Sequence, residues 1–118
     1  MENSIKMQKK SLTSPDEIRS FENGKIEVAK VRNTSIGRAY FEPGWSWEKC
    51  VKPIVNTDSC QASHTHYVVS GKLRVRMDEE EFGPGDIGYV PPGHNAWVVG
   101  DEPFVAVDFT AENYAKKY

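Results

Sequence analysis

The residues of this chain that are best suited to chemistry are its three histidines and one of its two cysteines. Cys60, His64 and His66 are separated by even numbers of residues. Because residues two apart in a β-strand share a face, a strand through this stretch would point the thiol and both imidazoles the same way. His94 follows on a later strand. Divalent transition metals accept sulfur and imidazole nitrogen as ligands, so the sequence predicts a metal site at these four residues.

The ligand types restrict the metal and suggest its use. Imidazole with thiolate favours zinc or iron over magnesium or calcium, and nickel and manganese are further candidates. Three nitrogen or sulfur ligands would leave one position open for water or substrate, as in catalytic sites. His64 is the candidate catalytic residue, because an imidazole transfers protons near neutral pH.

Each of these residues has a plainer explanation. Free cysteine is among the most buried residue types, and core packing is the favoured explanation of Cys60. His66 would equally serve as a polar filler of a cavity, and His94, which follows Pro-Pro-Gly, as a capping residue of a turn. Asp58 lies in a turn signal, which explains it better than metal binding does. A Cys60–His64 nucleophile pair lacks an evident third group to orient the histidine.

Three tryptophans are candidate ligand-binding residues. Trp45, Trp47 and Trp97 would line a pocket for an aromatic or apolar ligand, whereas ordinary barrel packing is the alternative and is favoured for at least one of them. Their N–H groups need partners if they are buried.

Composition limits the class of protein. A chain of 118 residues with 38% hydrophobic and 27% charged residues is long enough for one soluble domain. The net charge of −2 gives no reason to expect nucleic acid as a partner. No apolar run approaches the roughly 20 residues of a membrane span, and the start of the chain lacks an apolar signal segment. We therefore expect a cytoplasmic protein with both cysteines, Cys50 and Cys60, as free thiols.

The elements that must position these residues are predicted to be short strands. Alternating apolar and polar runs, separated by Gly, Pro and Asn turns, are typical of an all-β sandwich or barrel. One such run is predicted from Trp45 to Val51. The exception is the segment Ser14–Glu17, which has the features of a helix start and predicts two helical turns ended by Asn23–Gly24. We predict a flexible arm over residues 1–12, one barrel domain over 13–110 and a tail over 111–118.

Two segments of the chain, Tyr67–Gly71 and Gly85–Gly93, resemble the cupins, and the likeness extends over roughly Trp45 to Phe109. The resemblance is to small single-domain proteins of the cupin-2 type. It implies a double-stranded β-helix, which is a small jelly-roll barrel, with a ligand or metal inside it. It also implies a homodimer formed through the outer strands.

The cupin metal-ligand motifs are altered in this chain. The first is His-x-His, three or four residues, Glu, six residues and Gly; the second is Gly, five residues and Pro-x-Gly-x-x-His. Alignment on the glycines places the family's Glu at His64, its His-x-His at Asp58 and Cys60, and its last histidine at Ala96. None of the usual ligand types is in its usual place, but His94, two residues before Ala96, offers a replacement.

Taken together, these features predict a barrel that binds a small molecule through a divalent metal held by His64, His94 and either His66 or Cys60. One alternative is a metal-free binding or sensing module whose histidines hydrogen-bond an organic acid or an aromatic ligand. Another is a metal-independent isomerase or lyase with His64 as the general base. The cavity is predicted to have His94 at its rim and to be lined by Trp45, Trp47, Cys60, His64, His66 and Trp97.

Overall fold

A computed structural model describes residues 6–111 as two antiparallel β-sheets with the hydrophobic core between them. The elements within this range are β1 (Glu17–Phe21), β2 (Gly24–Val31), β3 (Thr34–Phe41), α1 (Trp47–Cys50), α2 (Lys52–Val55), β4 (His64–Ser70), β5 (Lys72–Arg76), β6 (Glu80–Phe82), β7 (Ile87–Val90), β8 (Asn95–Val99) and β9 (Phe104–Asp108). One sheet has the order β1-β2-β3-β9-β4-β7 and the other the order β6-β5-β8. The all-β jelly-roll class predicted from the sequence is confirmed.

Alternation of buried and exposed residues gives the strands their inner faces. In β4 the side chains of His64, His66 and Val68 are buried, whereas Tyr67 and Val69 are exposed. The strands β8 and β9 alternate in the same way. This period of two is expected where one face of a sheet covers a core, and it places the histidines of β4 inside the barrel.

The predicted N-terminal helix is wrong. The segment Glu17–Phe21 forms β1 and pairs with β2, with Phe21 opposite Gly24 across a tight turn at Asn23 (φ 61°). The pattern misleads because the apolar Ile18 is exposed, whereas the charged Arg19 is the buried residue of β1. Burial of Arg19 is supported by its ion pair with Glu17, in which Nε and Oε2 are 2.8 Å apart. An Asn-Gly pair occurs both after helices and at hairpins; here Glu22 and Asn23 form the turn of a hairpin, and Gly24 begins β2.

The strand predicted from Trp45 to Val51 is also wrong, because this stretch contains the short helix α1. Ser46 caps the helix, and its side-chain oxygen accepts a hydrogen bond from the Lys49 N–H at 3.2 Å. Trp47, Cys50 and Val51 are buried. Their spacing of three and four residues is that of one helical face, although every second residue also fits a strand pattern.

The N-terminal arm predicted over residues 1–12 is partly described. Within it, the Gln8 side-chain oxygen accepts a hydrogen bond from the Arg32 N–H at 2.8 Å, and Lys10 forms an ion pair with Asp16. Residues 1–5 of the arm, and residues 112–118 of the predicted tail, lie outside the described residues. Neither helix in residues 6–111 has the length and apolar character needed to span a membrane.

The turn between β4 and β5 depends on Gly71. Its φ is 76°, and a Cβ built on it would overlap the Pro103 carbonyl oxygen and lie 2.6 Å from the Phe104 Cα. Gly71→Ala should therefore add steric overlap with backbone to the strain of a positive φ. We expect a loss of about 2–5 kcal/mol in the free energy of unfolding, measured by urea denaturation.

Gly85→Ala is the matched control for this substitution. Gly85 also has a positive φ, 90°, but a Cβ there would meet no atom within 4 Å. Gly85→Ala should lower the free energy of unfolding only by the cost of a positive φ, about 1–2 kcal/mol. Equal losses in the two variants would show that contact with the Pro103 segment does not set the conformation of this turn.

Candidate metal centre

Three of the four predicted metal ligands come together inside the barrel. Cys60, His64 and His94 each offer one ligand atom, and these atoms all lie within 4.8 Å of one another. All three residues are buried. His64 is the first residue of β4, and His94 immediately precedes β8.

Cys60 reaches the cluster from a loop. It forms an isolated antiparallel bridge with His94, in which the Cys60 N–H donates to the His94 carbonyl at 2.9 Å. The Gly93 N–H donates in return to the Cys60 carbonyl at 2.7 Å, from a backbone with φ of 97°. Residues directly opposite in an antiparallel pair point to the same side, so this bridge aligns the thiol with the imidazole of His94.

His64 is oriented by Asp108, the last residue of β9. The His64 Nδ1–H donates to Asp108 Oδ2 at 3.0 Å, which leaves His64 Nε2 3.8 Å from the Cys60 sulfur. Asp108 is 1% exposed. A carboxylate that holds the second nitrogen of a metal-binding histidine is a common feature of metal sites, because it fixes both the tautomer and the ring orientation.

His94 is oriented in a similar way by the backbone. Its Nδ1–H donates to the Pro91 carbonyl oxygen at 2.7 Å, and its ring centre lies 5.1 Å from that of His64. Both histidines therefore use Nδ1 for orientation, which makes Nε2 the nitrogen that would bind a metal once it is deprotonated.

The charges within the cluster are strongly coupled in the metal-free protein. Burial raises the pKa of the Cys60 thiol, but hydrogen bonds with His64 and His94 lower it by more, to a net value of about 6. Burial lowers the pKa of His64, but the hydrogen bonds to Asp108 and Cys60 raise it to about 9. Burial raises the pKa of Asp108, and the hydrogen bond from His64 reverses this and keeps the pKa below its usual value. At neutral pH the three residues are a thiolate, an imidazolium and a carboxylate.

Folding thus transfers a proton from Cys60 to His64. The lowered pKa of the thiol contributes stability that is complete above its ordinary value of 9.0 and is lost as the pH falls through about 6. The raised pKa of His64 contributes stability that is complete below its ordinary value of 6.5 and is lost as the pH rises through about 9. Between pH 6.5 and about pH 9, the contribution of the thiol to stability rises with pH while that of His64 falls. The two residues together therefore leave the stability nearly independent of pH in this range.

The donor set fits a divalent transition metal. In a tetrahedral zinc site with the usual Zn–S and Zn–N lengths, a sulfur and a nitrogen ligand are about 3.6 Å apart. The separation of Cys60 Sγ and His64 Nε2 is 3.8 Å, so the two atoms need little movement to share an ion. Binding would displace the His64 proton, because a ligating imidazole must be neutral.

The third histidine lies beside the cluster and outside it. His66 is buried on the same face of β4, with its ring centre 5.1 Å from that of Phe82 and 6.4 Å from that of Phe104. Burial lowers its pKa, and the nearby Asp108 opposes this. His66 lies on the inner face of β4, as the sequence predicts, but it is two residues further along the strand than His64.

A small cavity of about 50 Å³ adjoins the cluster. Trp45 and Trp47 line it, together with Cys60 and the three histidines, so His94 is a wall residue and does not stand at the rim. The placement of Trp97 in the cavity is wrong. Ala96 and Val98 are the buried residues of β8, so Trp97 lies on the outer face, where the Arg76 guanidinium is 5.1 Å from its ring centre.

Asp108 is the site residue that the sequence analysis missed. It follows Phe104 and Ala106 at even spacing in β9, and all three are buried. An aspartate on the face of β9 that otherwise carries apolar residues was the signal in the sequence that could have identified it. Asp58, by contrast, is exposed.

No protein-family profile matches the chain, and no curated protein sequence is significantly similar to it. Solved structures do match. A protein of unknown function from Rhizobium leguminosarum bv. viciae is 23% identical, with a TM-score of 0.61 over 88% of this chain and 95% of that one. A variant of oxalate decarboxylase from Bacillus subtilis is 26% identical, with a TM-score of 0.53 over 79% of this chain and 27% of that chain. An RmlC-like cupin from Shewanella frigidimarina is 19% identical, with a TM-score of 0.50 over 78% and 79%.

These neighbours share one architecture with this chain. The two antiparallel sheets, their jelly-roll arrangement and the similarity to these solved structures show that the chain has the cupin fold. The resemblance stated from the sequence is therefore confirmed.

The coupling of Cys60 to His64 predicts the thiol's titration in metal-free protein. The thiolate absorbance of Cys60 should appear near pH 6. His64→Gln removes the charged hydrogen-bond donor, so burial should dominate and shift the titration upward by more than one pH unit, as expected for a lost charged partner. Ultraviolet absorbance recorded against pH measures the shift.

The second buried cysteine provides the matched control. Cys50→Ser should retain the titration near pH 6, and Cys60→Ser should remove it. An unchanged titration in His64→Gln would mean that His64 does not stabilise the thiolate.

Proposed function

We propose that this protein is a cupin that binds one divalent transition metal through Cys60, His64 and His94 and takes a small carboxylate at the adjacent cavity. The observation that carries the proposal is the convergence of three buried ligand atoms within 4.8 Å of one another. Zinc or iron suits the thiolate and imidazole donors better than magnesium or calcium. When bound, the metal would polarise a ligand oxygen or lower the pKa of a bound water.

The chain's own residues have separate roles in this site. His94 and His64 present Nε2 because their Nδ1–H groups are held by the Pro91 carbonyl and by Asp108. Cys60 supplies a negative charge that reduces the net charge of the bound metal. The apolar walls exclude bulk water, which strengthens electrostatic attraction between a bound metal and an anionic ligand.

The size of the cavity supports a small ligand. A volume of about 50 Å³ is well below the roughly 150 Å³ of an engineered cavity that binds benzene. An aromatic ligand is therefore disfavoured. The similarity to oxalate decarboxylase, whose name specifies a small carboxylate, supports the ligand class.

The alternative in which His64 acts as a metal-free general base is not supported. Its Nδ1–H is already donated to Asp108, and the raised pKa of about 9 keeps the ring protonated at neutral pH. A protonated imidazole does not accept a further proton.

A second candidate function is thiol chemistry at Cys60. No group that orients the histidine is evident in the sequence, but the structure has one, because Asp108, His64 and Cys60 form a hydrogen-bonded series. A nucleophile, a base and an orienting carboxylate in this order are the parts of nucleophilic catalysis. The burial of the thiol and the third ligand atom of His94 favour the metal site.

The metal proposal predicts one ion per chain in protein that has been stripped with a chelator and then reloaded with zinc or ferrous iron. Cys60→Ser, His64→Ala and His94→Ala should each weaken binding at least 100-fold, because each loses a direct ligand. Asp108→Asn should weaken binding about 10- to 100-fold through loss of ring orientation. Elemental analysis and competition with a chromogenic chelator measure both quantities.

The same experiment has two control variants, and two of its possible results would contradict the proposal. Cys50→Ser should bind metal like the unmodified protein, and His66→Leu should keep one ion per chain, which decides whether the third histidine is a ligand. Full occupancy in the His64 or His94 variant would contradict the proposed ligand set. No metal binding at all, together with labelling of Cys60 by iodoacetamide, would favour the thiol chemistry.

We also propose that the protein is a homodimer that pairs through β4 and β7. β7 is one edge of the larger sheet. On the outer face of this edge, Ile87, Tyr89, Val69 and Tyr67 are 75%, 63%, 49% and 41% exposed. An exposed apolar patch on an edge strand without lysine or proline is the kind of surface that a second copy covers.

Ile87→Lys should convert the dimer to a monomer, because it places a charge in the middle of this patch. Light scattering after size-exclusion chromatography measures the mass. The control is Ile18→Lys, which places the same charge on an exposed isoleucine in β1, the opposite edge of the same sheet. A monomeric unmodified protein, or dissociation by Ile18→Lys alone, would contradict the proposed interface.

A further inference from the structure

Two buried polar atoms of the barrel interior have no hydrogen-bond partner among the described residues. They are Nε1 of Trp45 and Nε2 of His66. Trp45 is 4% exposed and His66 is 6% exposed, and both residues line the cavity beside the metal cluster. Buried polar atoms in native proteins almost always have a partner, so two in one cavity indicate that the cavity binds a polar molecule.

Both rings are held by their neighbours. The Trp45 indole stacks on Phe41, with ring centres 4.0 Å apart and an angle of 7° between the planes. The His66 ring meets Phe82 edge-on. Neither residue belongs to the group of Cys60, His64 and His94. Since the rings are packed, their polar atoms form a fixed recognition point separate from the metal ligands.

The chemistry of the two atoms specifies a ligand oxygen. An indole N–H only donates, so the ligand must present an acceptor to Trp45. His66 Nε2 donates in one tautomer and accepts in the other. A hydroxyl both donates and accepts, so it matches either tautomer, and a carbonyl oxygen matches the donor form. The aromatic walls disfavour a second charge at this end, because an unpaired buried charge is costly.

The volume of the cavity limits the ligand's length. About 50 Å³, at 10–15 Å³ for each water-sized position, accommodates about three to five non-hydrogen atoms. The metal cluster and the two polar atoms line this same cavity. A short molecule with a carboxylate and a second oxygen close to it therefore fits the available space.

We propose that Trp45 and His66 form a subsite for the neutral oxygen of a short 2-hydroxy- or 2-oxo-carboxylate whose carboxylate is bound at the Cys60–His64–His94 cluster. The inference rests on the proposed small-molecule function and names its ligand class. The two polar atoms select for the oxygen next to the carboxylate, and the aromatic walls exclude longer chains.

Glycolate and propionate test this subsite, because each has five non-hydrogen atoms and they differ in a hydroxyl in place of a methyl group. Isothermal titration calorimetry on zinc-loaded protein should give at least tenfold tighter binding of glycolate. Trp45→Phe and His66→Leu should each reduce this preference about tenfold, mainly by weakening glycolate. Trp97→Phe, which removes an indole from the outer face, should leave the preference unchanged.

Failure of the subsite and failure of the metal centre give different results. Equal or tighter binding of propionate, or binding of neither acid by metal-loaded protein, would overturn the subsite and leave the metal centre intact. If the protein binds no metal, the same pair of acids is compared on the protein without metal, and equal affinity for the two acids there would overturn the subsite. If Trp45→Phe does not fold, the unmodified protein and His66→Leu decide the outcome.

Discussion

The hydrogen bond between His64 and Asp108 is the interaction on which the site depends. Its 3.0 Å contact joins β4 to β9, two adjacent inner strands of the larger sheet. A carboxylate that is 1% exposed is stable only if it is paired. The Thr110 N–H also donates to Asp108, at 2.7 Å, which fixes the carboxylate from the other side. The orientation of His64, and therefore the direction of Nε2 toward Cys60, follows from this arrangement.

Charge balance explains why three ionisable groups tolerate burial together. The imidazolium of His64 lies between the thiolate of Cys60 and the carboxylate of Asp108, so each charge has a neighbour of opposite sign. One net negative charge remains in the metal-free state. A divalent cation that replaces the His64 proton would increase the positive charge facing the thiolate by one unit. The arrangement that stabilises the metal-free protein is thus also the one that attracts a cation.

The alternation of side chains along the β-strands could be predicted from the sequence, but the contacts between distant parts of the chain could not. Even spacing correctly placed His64 and His66 on the inner face of β4. It did not reveal which of them faces Cys60, because that depends on the bridge from a loop to His94. Asp108 is 44 residues from His64, and only the pairing of β9 with β4 brings them together.

Local patterns failed where two structures satisfy the same sequence. Trp45, Trp47 and Val51 fit a strand at every second residue, but Trp47, Cys50 and Val51 also fit one face of a helix. The Ser46 cap decides in favour of the helix. The first strand was missed because its buried residue is an arginine, whose burial depends on an ion pair that periodicity does not express.

The departures from the cupin motif are consistent with a metal cluster displaced along the barrel. Cys60 and His64 occupy positions where the family's motif has ligands, each with a different residue type. On β8 the motif's histidine is replaced by Ala96, and His94 lies two residues earlier, about 7 Å along the strand. A small side chain at Ala96, which also lines the cavity, leaves space that the usual histidine would fill. The polar atoms of His66 and Trp45 face this interior, so the same substitution that moves the ligand set also provides room for the molecule that the set would bind.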